Sequence, residues 1–463
     1  MAKVKYQTKG FSLFEYRNVE EHLSKMAAKG WRLEKIGPYF WKYRKSEPKQ
    51  VAYAVTYVPE ASEYNPGPTP EQVTLEEFCE AAGWEKVVDW AQAQIYCNEN
   101  PNPIPLETED SVRLDVITKS MKKNFVPIHI LMLALFAMML MTSLNDVGKF
   151  PMLYLAQGLK LFMIAISVLG ILLVAATLGN YFLWVKRSER SIADGGGCVE
   201  TNITIINRLF SGLLVVMVLG LFFRLVKDDI YTAVIWIVYM VIYFAVILGI
   251  RQIQQLIKKI GLSRETNIGI TLLLAVIFGF VLTFGRLFAD RHGLLDFAEE
   301  EPVETITYRG NEWDVYHDPM PLKVEDLMET DYEYYTYRSG SASSFILSRL
   351  DANQRHAIPD TEEAFEIDYE IIELRFPSML EWTLEQYLED DGRENSGTGY
   401  HTSDHNPWGA DSAWRWYVDG EKMNIYVFTD GESRVVKFWS SWELTQEQKS
   451  VIGDTLLHAD LSV

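Results

Sequence analysis

The sequence predicts a three-part, multi-domain chain. An α+β ferredoxin-like domain (βαββαβ) comes first, then a five-helix transmembrane bundle, then an α+β antiparallel-sheet domain. Three observations predict this. Five apolar runs lie between about residues 126 and 288, each near the ~20 residues that cross a bilayer. The first hundred residues alternate aromatic and β-branched runs with two capped amphipathic helices. Residues 300–463 carry alternating strand patterns broken by Asp-Gly turns. Mean hydropathy is −0.04 because the apolar runs are balanced by charged flanks.

Residues 1–105 form the first domain. MAKVKYQTKG has no apolar core of the kind a cleavable signal peptide needs, so none is expected. FSLFEY (11–16) reads as the first strand. Asn18 is placed as an N-cap with Glu21 at N3, and VEEHLSKMAAK then puts Val19, Leu23, Met26 and Ala27 on one helical face. Gly30 is the expected left-handed cap. RLEKIGPYFWKYRK and VAYAVTYVP are the next strands. Thr69, Pro70 and Gln72 open a second helix, VTLEEFCEAA, which Gly83 ends, and WEKVVDWAQAQIYCNEN is the last strand. AAKGW and AAGW thus echo each other because each Gly stops a helix and each Trp, Trp31 and Trp84, starts a strand. The two rings are expected to pack between helix and sheet, with ligand contact as the sharper alternative.

The run FSLFEYRNVEEHLSKMAAKGWRLEKIGPYFWKYRKSEP, followed by YAVTY and AAGWEKV, resembles the bacterial domain of unknown function 2812. The marks are a Phe-rich entry, an E-x-L helix ending in K-G-W-x-L, a Tyr/Phe-rich strand and a later G-W. The resemblance covers roughly residues 8–100. It implies a Gram-positive membrane protein, often encoded near PadR-like transcription regulators. It brings no activity and no catalytic residues.

A juxtamembrane linker or helix (106–125) leads to the spans, placed at about 126–144, 155–185, 205–226, 230–250 and 268–288. Lys119, Lys122 and Lys123 precede the first span. Lys186, Arg187 and Arg190 follow the second, and Arg251, Lys258, Lys259 and Arg264 lie between the fourth and fifth. The alternate loops are poorer in cations, so the N-terminus is expected in the cytoplasm and, after five crossings, the C-terminus outside. Cys79, Cys97 and Cys198 all fall on the expected reducing side. Lys160, Arg208, Arg224 and Arg286 lie near span ends, where long side chains snorkel, and are poor candidates for a transport path. Gly170, Gly179, Gly212, Gly220, Gly279 and Gly285 are expected to let helices approach closely. No Walker motif is present.

The C-terminal domain (300–463) is acidic, with acidic residues outnumbering basic ones roughly three to one from Arg291 onward. VETITY, WDVYH and IDYEIIELRF read as strands and PSMLEWTLEQYLED as a helix. AWRWYVDGEKMNIYVFTDGESRVVKFWSSW reads as three strands joined by type I′ turns at Asp419-Gly420 and Asp430-Gly431. Thr445 to Gln448 is a capping box for a final helix. His401, Asp404 and His405 share a Gly/Ser/Asn-rich loop without the helical HxxxH geometry zinc needs. Glu389, Asp390 and Asp391 lack ordered calcium-loop spacing. Trp408, Trp414 and Trp416 are the aromatic candidates for an envelope ligand.

No catalytic residue, metal or cofactor is expected, and the chain is not expected to be an enzyme. The net charge of −20 excludes nucleic acid as a partner. The expected function is sensing or regulation at the plasma membrane. Its partners are the lipid bilayer, a cytoplasmic protein and an envelope ligand. A permease-like or accessory transport subunit and an exported wall-polymer enzyme are the alternatives.

Overall fold

A computed structural model describes the chain apart from residues 1–2, 9–10, 13, 38–39, 91, 101, 108, 202–203, 229, 292–301, 331–334, 359–363, 390–397 and 462–463, and apart from the side chains of 204–208, 211, 224–228, 230–233, 235–236, 283 and 286–291. Two compact units form: Met1–Met138 with Ile166–Phe297, and Met139–Ala165 with Ala298–Val463.

The first unit opens with one motif made twice. β1 (Val4–Gln7), α1 (Tyr16–Ala28), β2 (Trp31–Ile36) and β3 (Trp41–Lys45) give an antiparallel sheet of order β1-β3-β2. β4 (Ala52–Tyr57), α2 (Pro70–Ala81), β5 (Glu85–Trp90) and β6 (Ala93–Asn98) give the order β4-β6-β5. Even the irregularities correspond. Register slips between Leu33 and Lys35 in β2 and between Lys86 and Val88 in β5, at the same distance beyond Trp31 and Trp84. Gly30 (φ 77°) and Gly83 (φ 79°) end the two helices in the left-handed region, where a Cβ is disfavoured.

This is a tandem βαββ fold, which departs from the expected ferredoxin-like βαββαβ order. Two stretches expected as single strands are hairpins, because each turns back partway: β2 pairs with β3 and β5 with β6. Phe11–Tyr16 is not a strand. The Glu15 carboxylate accepts from Ser12 N (2.7 Å) and Asn18 Nδ2 (3.1 Å), and this local bonding turns the chain into α1 at Tyr16. Asn18 therefore lies inside the helix instead of capping it. The second start is as expected: Thr69 and Gln72 form a complete capping box.

The β4-β6-β5 sheet is covered on both faces. Tyr53, Val55, Tyr57, Ile95 and Cys97 join α1 in the main core, while Ala52, Ala54 and Tyr96 meet Cys79 and Trp84 beside α2. Every residue of β6 is buried. The main core also takes Leu114 and Ile117 from α3 (Asp110–Ser120) and Met121 just after it, within the stretch expected as a juxtamembrane linker or helix. α3 runs through a π turn at Met121–Phe125 into α4 (Val126–Lys149). Pro127 has no N–H to return to the carbonyl of Lys123, and Val126 N–H reaches back to Met121 O instead.

After α5 (Pro151–Ala156) come α6 (Gly158–Ala193), α7 (Thr204–Asp228), α8 (Ile230–Ile260) and α9 (Arg264–Arg291). Among the described residues, four helical stretches are long and apolar enough to cross a membrane: Asp110–Lys149, Gly158–Ala193, Ile237–Ile260 and Arg264–Leu282. α7 contributes a shorter apolar stretch, Gly212–Phe223. Leu131, Leu135, Val241, Phe244, Leu272 and Phe280 are exposed, as lipid-facing side chains are. These features mark a membrane-embedded protein. Of the six glycines expected at helix contacts, Gly170 fits: a Cβ there would meet the Phe136 ring at 2.6 Å. Gly179, Gly212, Gly220, Gly279 and Gly285 have no described atom within 4 Å of a Cβ.

In the second unit β7 (Glu304–Tyr308) and β8 (Asn311–Val315) form a hairpin. β9 (Tyr335–Ser343), β10 (Leu347–His356), β11 (Ile367–Leu374), β12 (Gly399–Ser403), β13 (Ser412–Val418), β14 (Glu421–Thr429) and β15 (Arg434–Ser440) build a seven-stranded antiparallel sheet of order β12-β13-β14-β15-β11-β10-β9. α11 (Gln446–Leu457) covers one face through Ile452, Leu456 and Leu457. α10 (Leu380–Leu388) and α5 cover the other, with Met152 and Ala156 buried among Leu347, Ile372 and Val435. Asp419 (φ 49°) and Gly420 (φ 84°) make the expected type I′ turn. Asp430-Gly431 does not. The Asp430 carboxylate accepts from the amides of Glu432, Ser433 and Arg434, each at 2.9 Å, which holds a longer loop. Thr445 caps α11 with Gln448, as expected.

Candidate functional site

A cavity of about 590 Å³ lies in the first unit. β2 contributes Lys35 and Ile36, β3 Trp41, and β5 Asp89 and Trp90. The segment before α2 contributes Ser62, Glu63, Asn65 and Pro66. One face of α8 contributes Arg251, Gln254, Gln255 and Lys258. Those four residues follow i, i+3, i+4, i+7 spacing, which puts them on one helical stripe.

Aromatic packing fixes the apolar wall. Trp41 and Trp90 meet edge to face, centroids 5.6 Å apart, and Phe11 lies 5.8 Å from Trp41. His22 supports Trp41 from behind and hydrogen-bonds Tyr43 Oη at 3.1 Å. Asn65 Nδ2 donates to Glu60 O (3.3 Å), and the Tyr64 carbonyl accepts from the fully buried Asn267 of α9 at 3.1 Å. The wall is therefore tied to the membrane helices.

Its charge is unbalanced. Asp89 is paired with Lys86 at 3.2 Å. Among the described residues, Lys35, Arg251 and Lys258 have no ion-pair partner, and Glu63 is the one unpaired carboxylate in the lining. Three cations without an ion-pair partner, facing one unpaired carboxylate and two indole rings, can hold an anion.

A titratable group lies elsewhere in the same unit, between α1 and β4. The half-buried Glu20 of α1 accepts from Val55 N of β4 at 2.8 Å, linking the two βαββ halves. Burial lifts its carboxyl to about 7, against the opposing pull of the Val55 amide and Arg113.

The residues singled out in the sequence lie apart from this cavity. Trp84 is buried with Nε1 donating to Ile104 O at 2.9 Å, and Trp408 is buried against Phe428 and Tyr426. Trp31 is half-buried beneath Lys5, and Trp414 packs beside α10. Trp416 meets Tyr400 edge to face. His401 meets Tyr417 edge to face, Asp404 caps Asn406, and His405 Nδ1 contacts Ala410 O at 2.8 Å. No group of three metal-ligating side chains occurs among the described residues. Glu389 ends α10, while Asp390 and Asp391 lie outside the described residues. Lys160 is paired with Asp146 at 2.8 Å and lies over the Tyr154 ring. The side chains of Arg208, Arg224 and Arg286 lie outside the described ones.

The cavity residues were visible in sequence only as topology signals or strand aromatics. The missed signal is the polar stripe that continues α8 ten residues past the expected span end at Ile250. No curated protein and no solved structure matches the chain. The family comparison falls on the region that supplies most of the cavity wall: residues 15–128 match the family model of a protein of unknown function, DUF2812.

Proposed function

We propose that the chain is a five-span plasma-membrane sensor or regulator, with the βαββ repeat in the cytoplasm and the seven-stranded domain outside. The observation that carries this reading is the role of α6. Its last turns bury Tyr181 and Trp184 in the core of the N-terminal unit, and the Trp184 indole donates to Val199 O at 2.8 Å. Its first turns belong to the other unit, directly after α5, whose Met152 and Ala156 are buried under the β-sheet. The last turns of α6 are thus anchored in one core, and its first turns follow in the chain on α5, which is anchored in the other. A change in envelope-ligand occupancy that displaces α5 then has a direct chain connection, through Gln157 into α6, by which to bias the N-terminal domain and its cytoplasmic protein partner. The excess of Lys and Arg beside the N-terminal domain supports the orientation.

Two measurements on the full chain test this. Glu421→Cys, exposed at the β13–β14 turn, is expected to react with a membrane-impermeant maleimide in intact cells; reaction only after lysis overturns the orientation. Met152→Ala is expected to alter hydrogen exchange in α1 and β4 of the nanodisc-embedded protein. Exchange changes confined to the seven-stranded domain overturn the coupling.

A further inference from the structure

We infer that the cavity between the βαββ repeat and α8 binds the phosphate headgroup of an anionic membrane lipid. The inference rests on the membrane reading of α8 and adds a ligand class to it.

The argument starts from the α8 stripe. Arg251 and Lys258 point into the cavity from the turns just beyond the apolar run that ends at Ile250. Continued backwards at the same helical spacing, the stripe passes through Leu248 and Phe244, which are 44% and 55% exposed. The same face is thus apolar and unpartnered along the bilayer, then cationic within a cavity one turn later. That order matches an acyl chain followed by its phosphate. Charged side chains placed at this depth meet the headgroup layer, where anionic lipids concentrate.

The opposite wall fits the same ligand. Lys35 brings a third unpaired cation, and Trp41 and Trp90 supply the amphipathic rings that favour the interfacial region. Arg251 offers a planar fork suited to phosphate oxygens, and Lys258 a point charge. Glu63 and the Lys86-paired Asp89 share the lining, so three basic groups face two carboxylates and positive charge is in excess. A volume of about 590 Å³ accommodates a headgroup with its polar substituent. A bare cation is disfavoured by the three unpaired basic groups. Nucleic acid is disfavoured by the net charge of −20.

The test uses the full chain, delipidated in neutral detergent, and titrates dioctanoyl-phosphatidylglycerol while following binding by native mass spectrometry. The variant R251Q/K258Q is compared with K186Q/R187Q, which removes the same charge from exposed positions at the end of α6 that the cavity does not include. The cavity variant is expected to weaken binding about tenfold or more, and the control less than about twofold. Equal loss in both variants overturns the site in favour of a diffuse basic belt. Equal affinity for dioctanoyl-phosphatidylcholine overturns selection of an anion. sn-Glycerol 3-phosphate binding as tightly as the lipid overturns the membrane source and assigns a soluble phosphoester. Carbonate extraction is scored separately: a chain that stays in the membrane yet binds no lipid sinks the site alone, and an extracted chain sinks the membrane reading.

Discussion

The two βαββ halves share strand order, Gly-Trp step and register slip, yet they pack differently. α1 buries Tyr16, Val19, Leu23, Met26 and Ala27 in the main core. α2 buries only Gln72 and Cys79, and leaves Val73 and Phe78 exposed. α1 is enclosed by its own sheet, by β4, and by α3 and α6, whereas among the described residues α2 packs against the outer face of the second sheet and Leu106. A repeated motif therefore dictates local geometry, while its surroundings dictate how much each copy contributes to stability.

The comparison breaks most sharply in the helix interiors. Leu23→Ala is expected to destabilise the N-terminal domain by about 2–5 kcal/mol, because it empties a fully buried site. Phe78→Ala, at a site 73% exposed, is expected to fall within about 0.5 kcal/mol. Hydrogen exchange of N-domain amides in the full chain measures both, and equal effects would show that the two helices are equivalent after all.

The helix ends give the next largest contrast. Gly30→Ala and Gly83→Ala each force a side chain into the left-handed region, at about 1–2 kcal/mol. A Cβ at Gly30 would also meet the Ser46 carbonyl at 2.7 Å, whereas at Gly83 the nearest atom is 3.6 Å away. Gly30→Ala is therefore expected to cost about 1–3 kcal/mol more, as overpacking does. Thermal unfolding of the two variants side by side checks the order.

Glu20 sharpens the comparison by linking the halves. Its carboxyl is held near 7, above the ordinary 4.5, so folding takes up a proton between those values. The stability it contributes is complete below about 4.5 and is lost as pH rises through about 7. Glu20→Gln keeps an acceptor for Val55 N without the charge. It is expected to stabilise the domain by about 1–3 kcal/mol at pH 8 and to have little effect at pH 4. An unchanged pH profile would remove Glu20 from this role.

The smallest effect is at the caps. Thr69→Ala removes the side-chain acceptor of the α2 capping box, at about 1 kcal/mol. Asn18→Ala leaves α1 without any cap to lose. Its amide instead donates to Thr201 O at 2.6 Å, so the expected change is in protection of the segment after α6.

Several features were legible in the sequence. Both capping boxes, the two left-handed glycines and the Asp419-Gly420 turn follow from side-chain chemistry within a few residues, and the apolar helices from composition over a bilayer's thickness. The β2–β3 and β5–β6 hairpins were not legible. Residues on both sides of each turn have the same strand character, and pairing partners, not propensity, decide where the chain folds back. The candidate site was equally hidden, since Lys35, Trp41, Trp90, Arg251 and Lys258 come from distant segments.

Local chemistry alone thus determined where helices start and stop, that membrane-length helices exist, and that a Gly-Trp motif occurs twice. Tertiary structure decided that the repeat makes two sheets, that Trp84 and Trp408 go inside, and that α8 continues past the apolar run to bring cations beside tryptophans. The physical reason is range. Capping, turn formation and hydropathy act between residues near in the chain, whereas burial and charge balance depend on which distant segments enclose a side chain.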